Sequence, residues 1–422
     1  MIRKSLLILV VILLSTVPAL AANDPYWEQQ WGLHKIQAEP AWGAGTGAGI
    51  TIAVIDTGVD YNHPDLRGKV ASGYDFVSND PDPYDETAGA GEGCPGNPGH
   101  GTHVAGIAGA ITNNGVGVAG TAPGATILPV RVLNQRGCGF ISDVNEGIRY
   151  AVQRGAHVIN LSLGGDVVFL LLDDEEFNFK QALNDAWAKG VIPVVAAGND
   201  SLPSGYTDVN ALIVGATDRQ DRKPYWASIP AASRWPIAAP GHEIVSSLPG
   251  NKVGSLSGTS MSAPHVAGAA AVLRGLGLNP QQTVDRIRST ADPVSDPTVG
   301  ARRLNLGKAV QGLGGGGGSS GGGSGTAGSG SGTSGGGGRT GSTSSRGPSA
   351  PAAGQPSTTT AGSPPPTAAE DSQASPSPGS VLSADAPKKD RPSPLNVALV
   401  ALVIAVGVGF VAWYGRQAFR SD

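Results

Sequence analysis

Short, unbroken apolar runs recur along the first part of this chain, at 50–55, 127–132, 157–161, 191–196 and 211–214. Runs rich in Val and Ile without polar alternation are strands covered on both faces. Between and after them lie segments with helical spacing, at 102–112, 142–154, 179–189, 260–274 and 280–289. This alternation predicts an α/β fold, a parallel sheet with helices on both faces. In such a sheet, function gathers beyond the carboxyl ends of the strands. Asp56 ends the first run, and Asn199 closes Val-Val-Ala-Ala-Gly-Asn after the fourth.

Composition limits where that sheet can lie. Of 422 residues, 64 are glycine, and they crowd the chain from residue 314 onward. The stretch 314–394 is first Gly/Ser-rich and then Pro/Ser/Thr-rich. It cannot bury enough apolar surface to offset its ordering entropy, so it reads as a disordered linker. As a flexible chain it would span about 50 Å. Residues 22–313 are then left as one large domain with a substantial core.

The two ends carry targeting signals. Residues 1–21 hold Arg3 and Lys4, an apolar run over 6–14, and Ala19-Leu20-Ala21. That is the order of a secretory signal peptide cleaved after Ala21. Residues 395–414 carry no charge and are long enough for a single transmembrane helix. Trp413 and Tyr414 sit at its interfacial end, and Arg416 and Arg420 fall in a short cytoplasmic tail, 415–422. The expectation is an exported, single-pass membrane protein with its folded domain on the extracytoplasmic side. A tail removed after export as a sorting signal is the alternative. A net charge of −4 with no basic stripe argues against a nucleic-acid partner.

Chemistry concentrates in Gly-Thr-Ser-Met-Ser-Ala-Pro-His, from Gly258 to His265. The motif puts a hydroxyl, Ser260, at the start of the 260–274 helix. A serine hydroxyl becomes a useful nucleophile only with a base, an orienting carboxylate and an oxyanion donor. His100, opening His-Gly-Thr-His-Val-Ala-Gly, supplies a base; Asp56 supplies a carboxylate and Asn199 a donor amide. Singly, Asp56 and Asn199 would be ordinary turn residues. His103 and His265 share these motifs but read as helix-packing residues.

With these motifs in the order Asp, His, Ser, residues 23–313 resemble the subtilisin-like serine proteases, the subtilase family, and within it the thermitase-like branch. The resemblance implies a serine endopeptidase cleaving polypeptide substrates through an acyl-enzyme, with a monomeric catalytic domain. Ser260 would attack, His100 would move the proton, Asp56 would orient His100 and Asn199 would stabilise the oxyanion. The competing reading is an inactive, partner-binding domain of the same fold, which the complete residue set opposes.

The resemblance also implies a substrate pocket walled by Ser162, Leu163, Gly164 and Gly165 and by Ala196, Ala197 and Gly198. It implies structural Ca2+ held by Asp24, Asp65 and Asn114 with the carbonyls of Ile111, Val116 and Val118. A second, weaker site would use Asp75, Asp80 and Asp82. Residues 167–176, ending in Asp173-Asp174-Glu175-Glu176, depart from the family as an insertion. Cys94 and Cys138 are the only cysteines, and export favours a disulfide between them. Cys94 precedes His100, and Cys138 lies in a loop that borders the cleft in the family.

Overall fold

A computed structural model describes residues 22–91, 94–163 and 173–313, without the side chains of 173–177. The expected signal peptide, linker, membrane helix and tail, together with Gly164 and Gly165, lie outside the described residues. The expected strands form as β1 (Thr51–Asp56), β3 (Thr126–Arg131), β4 (Val158–Leu161), β5 (Ile192–Ala196) and β6 (Leu212–Thr217). Between β1 and β3 lies a two-residue strand, β2 (Tyr74–Asp75), and β7 (Trp235–Pro240) follows β6. All pair in parallel in the order β2-β3-β1-β4-β5-β6-β7.

Helices cover both faces of the sheet. Two short helices, α1 (Trp31–Lys35) and α2 (Ala38–Trp42), precede β1. Then come α3 (His100–Gly109), α4 (Ile141–Gln153), α5 (Asp173–Ala188), α6 (Thr259–Gly275), α7 (Pro280–Ser289) and the short α8 (Leu306–Ala309). Side-chain alternation along β1 assigns the faces. Ile52 and Val54 pack with Val104 and Ile107 of α3 and Val266 and Ala270 of α6. Ala53 and Ile55 pack with Val144 and Ile148 of α4 and Leu183 of α5. A strand needing apolar residues at every position is what the unbroken run in the sequence recorded.

Elements absent from the sequence reading each have a reason. Pro236 and Pro240 disguise β7, yet an edge strand tolerates missing N–H groups. The hairpin β8 (Ile244–Leu248) and β9 (Lys252–Leu256) turns through Pro249-Gly250-Asn251, with positive φ at Gly250 and Asn251. Helix α5 begins at Asp173, not near residue 179.

The order of the sheet places the site. Strand β1 pairs with β3 on one side and β4 on the other, so the direction in which successive strands are added reverses there. Crevices form beyond the carboxyl end of such a switch point, and Asp56 is the last residue of β1. Helix α6 runs buried from Thr259 to Leu273 beneath the sheet. Among the described residues, no helix is long and apolar enough to cross a membrane.

Helices α3 and α6 meet at Gly268, where an added Cβ would lie 2.5 Å from Thr121 Cβ and 2.8 Å from the Ala108 carbonyl. Gly268→Ala should therefore lower the unfolding free energy by about 1–3 kcal/mol. Urea melts in a Ser260→Ala background would show it, and an unchanged midpoint would mean the helices can part without cost.

Candidate active site

The end of β1 holds Asp56 fully buried, and the start of α3 brings His100 against it. His100 Nδ1 lies 2.7 Å from Asp56 Oδ1, which also accepts the Thr57 N–H at 2.8 Å. A carboxylate can only accept, so Nδ1 carries the proton and Nε2 keeps its lone pair. Burial pushes His100 down from its ordinary value of 6.5; the Asp56 charge and hydrogen bond, with the Asp85 charge, outweigh this and hold it above. Its side chain remains 24% exposed, open to the cleft.

Ser260 stands in the first turn of α6, its hydroxyl donating to the Ser162 carbonyl at 3.0 Å. Reaching His100 thus requires the hydroxyl to leave that carbonyl, a change compatible with a ligand-free catalytic geometry. Pro264 lies four residues on and has no N–H to give the Ser260 carbonyl. Ser162 Oγ satisfies that carbonyl instead at 2.7 Å, and Asn160 Nδ2 supports Ser162 Oγ at 2.9 Å. The proline in the motif and the serine after β4 are therefore complementary.

Asn199 follows β5, and its Oδ1 accepts the Thr259 N–H at 3.0 Å. The backbone N–H can only donate, which fixes the amide orientation and leaves Nδ2 as the donor. Asn199, His100, Ser260, Ser162 and Leu163 line one cleft of about 210 Å³. Ala196, Ala197 and Gly198 are buried behind it, the two alanines packed into cores on opposite faces of the sheet.

The other histidines are accounted for. His103 Nε2 pairs with the Gly254 carbonyl, and burial with the nearby His100 lowers it to about 3. His265 Nδ1 pairs with the Met261 carbonyl, and burial lowers it to about 4. Both are neutral packing groups, as the sequence suggested.

The sequence reading missed the support beneath His100. Asn97 Oδ1 accepts the His100 N–H at 2.7 Å and the Gly99 N–H at 2.9 Å. Asp85 is 1% exposed and accepts from Thr57, Asn97 and Thr102. Asn97 stands three residues before His100 in Asn-Pro-Gly-His, and no spacing rule finds Asp85.

The first expected calcium set is drawn together. Asp24 accepts the N–H groups of Asn113 and Asn114, and Asp65 accepts from Asn114 Nδ2 at 3.2 Å and the Val118 N–H at 2.9 Å. Burial pushes the Asp65 carboxyl above its usual range. His63 Nδ1 accepts the Asp65 N–H, so the ring nitrogen facing that carboxylate bears no proton. Gly117 leaves open a cradle over Asp65, since a Cβ there would lie 1.8 Å from Oδ2. These oxygens fit a hard cation in chemistry.

In the second expected set, Asp75 and Asp80 pair through their backbones, and the three carboxylates have protein partners. Asp75 gives Oδ2 to Arg131 at 2.9 Å and Oδ1 to the N–H groups of Val77 and Ser78. Asp80 accepts the Asp82 N–H, and Asp82 accepts the Tyr61 hydroxyl. Arg131 is a direct ion-pair partner of Asp75. Among the described residues, no group of three or more His, Cys, Asp or Glu side chains is placed to hold a metal.

Cys94 and Cys138 form a disulfide. It ties the loop before His100 to the loop after β3, and neighbouring Pro95, Gly96 and Gly137 line the cleft beside His100.

The subtilase family pattern matches residues 47–311. Thermitase of Thermoactinomyces vulgaris is 46% identical over 297 residues, covering 68% of this chain and 99% of that protein. The thermophilic serine proteinase of Bacillus sp. strain AK1 is 45% identical over 285 residues, covering 66% of this chain and 65% of that protein. Among solved structures, a protease of Pseudoalteromonas arctica superposes with a TM-score of 0.60 at 31% identity. That match covers 69% of this chain and 98% of the other.

Because the disulfide closes a loop spanning 44 residues, Cys138→Ser should cost about 2–5 kcal/mol of stability. Denaturant midpoints of the oxidised wild type and the variant measure it; equal midpoints would show a bond that constrains nothing.

Proposed function

The chain belongs to the subtilase family of serine proteases, and from that membership we propose that Asp56, His100 and Ser260 are its catalytic triad and Asn199 its oxyanion donor. The observation carrying this reading is the 2.7 Å contact of His100 with buried Asp56, in a cleft shared with Ser260 and Asn199. Ser260 attacks the scissile carbonyl while His100 Nε2 takes its proton and then passes it to the leaving amine. Asp56 keeps the proton on Nδ1 and stabilises the imidazolium. Asn199 Nδ2 and the Ser260 N–H receive the developing oxyanion. Losing one such donor costs about 2.7–4 kcal/mol, a magnitude that comes from subtilisin itself. Ser162 and Leu163 border the bound peptide.

The remainder of the chain makes this an exported, membrane-tethered endopeptidase. Residues 1–21 direct export, 314–394 form the tether and 395–414 the anchor, on the sequence features alone. Asp24, Asp65 and Asn114, with carbonyls of Ile111, Val116 and Val118, would hold a structural calcium ion. Bound there, the ion neutralises the buried carboxylates and pins the segment before α1 to the 112–118 loop.

Ser260→Ala should remove peptide hydrolysis while leaving the melting temperature intact; wild-type rates in that variant would sink the assignment. The acid limb of kcat/KM should lie above the ordinary imidazole value of 6.5, because only neutral His100 can act as base. A His raised on folding contributes stability that is full below its unfolded value and lost as pH rises through the folded one. Activity should therefore appear over the range where this contribution disappears. A limb below 6.5 would show that Asp56 and Asp85 do not outweigh burial at His100.

Chelation should lower the melting temperature by mass action, and Asp65→Ala should abolish most of that response. A wild-type melt indifferent to both calcium and chelator would remove calcium from this account.

A further inference from the structure

Asp85 is the second buried carboxylate near His100, and the reaction described above does not use it. It is 1% exposed. Oδ1 accepts from Thr57 Oγ1 and Asn97 Nδ2, each at 2.8 Å. Oδ2 accepts from the Thr102 N–H at 2.8 Å and Thr102 Oγ1 at 2.6 Å. Burial pushes its carboxyl above the ordinary range, and these hydrogen bonds offset only part of that. Asn97 Oδ1 faces backbone N–H groups, so its amide orientation is fixed and Nδ2 must donate. The Thr102 N–H must donate as well. Each oxygen of Asp85 thus meets a donor that cannot reverse, which selects the ionised form.

The donors are not arbitrary loop groups. Thr57 follows Asp56 directly, and its N–H holds Asp56 Oδ1. Thr57 Oγ1 also accepts the N–H of Gly101, the residue after His100. Asn97 accepts the His100 N–H itself. Thr102 lies two residues beyond His100 in α3 and accepts the Asp60 N–H. One carboxylate therefore reaches the residue beside the orienting acid, the group capping the base, and the first turn of the helix that carries the base.

We propose that Asp85 is a positioning residue for the proton-transfer pair, fixing Asp56 and His100 in mutual register through Thr57, Asn97 and Thr102. This rests on the reading of Asp56, His100 and Ser260 as the triad. Small displacements of a reacting group cost rate steeply, whereas peptide binding along the cleft does not pass through these bonds. The effect of Asp85 therefore falls on kcat and not on KM. Its charge also acts on His100 across the same short path. The titratable groups facing His100 are Asp56 from β1, Asp85 from the preceding loop and neutral His103 from α3 itself.

The test compares the full-length protein with Asp85→Asn, Thr102→Val, Thr102→Ser and Ser260→Ala, using a chromogenic peptide anilide across the acid limb. Asp85→Asn keeps the shape, removes the charge and sets an amide N–H against donors. Its kcat should fall by about tenfold to a hundredfold, with KM within about threefold and the acid limb moved to lower pH. Thr102→Val should lower kcat several-fold, and Thr102→Ser should restore most of it. A merely structural role would shift the melting temperature without moving the limb or separating kcat from KM. A folded Asp85→Asn with wild-type kcat and an unmoved limb overturns the proposal. If that variant lacks a cooperative melt, Thr102→Val decides, and an unchanged kcat there overturns it equally. Activity retained in Ser260→Ala contradicts the triad reading instead, so the two failures are distinguishable.

Discussion

The contact between Asp56 and His100 depends on almost everything else in the domain. Asp56 can be fully buried at the end of β1 because β3 and β4 flank that strand and helices cover both of its faces. An isolated buried carboxylate is costly. Here the Thr57 N–H and His100 Nδ1 share one oxygen, while Oδ2 has no hydrogen-bond partner among the described residues. The carboxylate is thus committed to the imidazole and has little else to stabilise it. That asymmetry suits the proposed role of Asp56, responding to a proton arriving on His100.

The nucleophile is positioned by a different set of forces. Helix α6 is buried over most of its length, and small residues such as Gly268 let it pass close to α3. Pro264 releases the Ser260 carbonyl, Ser162 captures it, and Asn160 captures Ser162. The proposed base and nucleophile thus belong to separate helices anchored to the same side of one sheet. The disulfide adds a third constraint, joining the loops that form the rim beside His100.

Much of this was legible in the sequence, for identifiable reasons. Unbroken Val/Ile runs announced the central strands because burial on both faces leaves no polar position. The triad candidates were legible because each sits in a compact motif at an element boundary. Asp85 was not, because its role comes from donors spread over Thr57, Asn97 and Thr102, which only folding brings together. The ion pair of Asp75 was hidden for the same reason, because Arg131 is remote in sequence and adjacent to Asp75 only across β2 and β3. Strand β7 was hidden by its prolines, which an edge position excuses.

The central claim is that Ser260 is made nucleophilic by an imidazole held against Asp56. Covalent labelling of the active protein with a fluorophosphonate, mapped by peptide mass and timed across pH, tests it most directly. The account predicts a single adduct on Ser260, with a labelling rate that rises as His100 loses its proton. An adduct at another residue, or a rate at Ser260 indifferent to pH through that range, would contradict it.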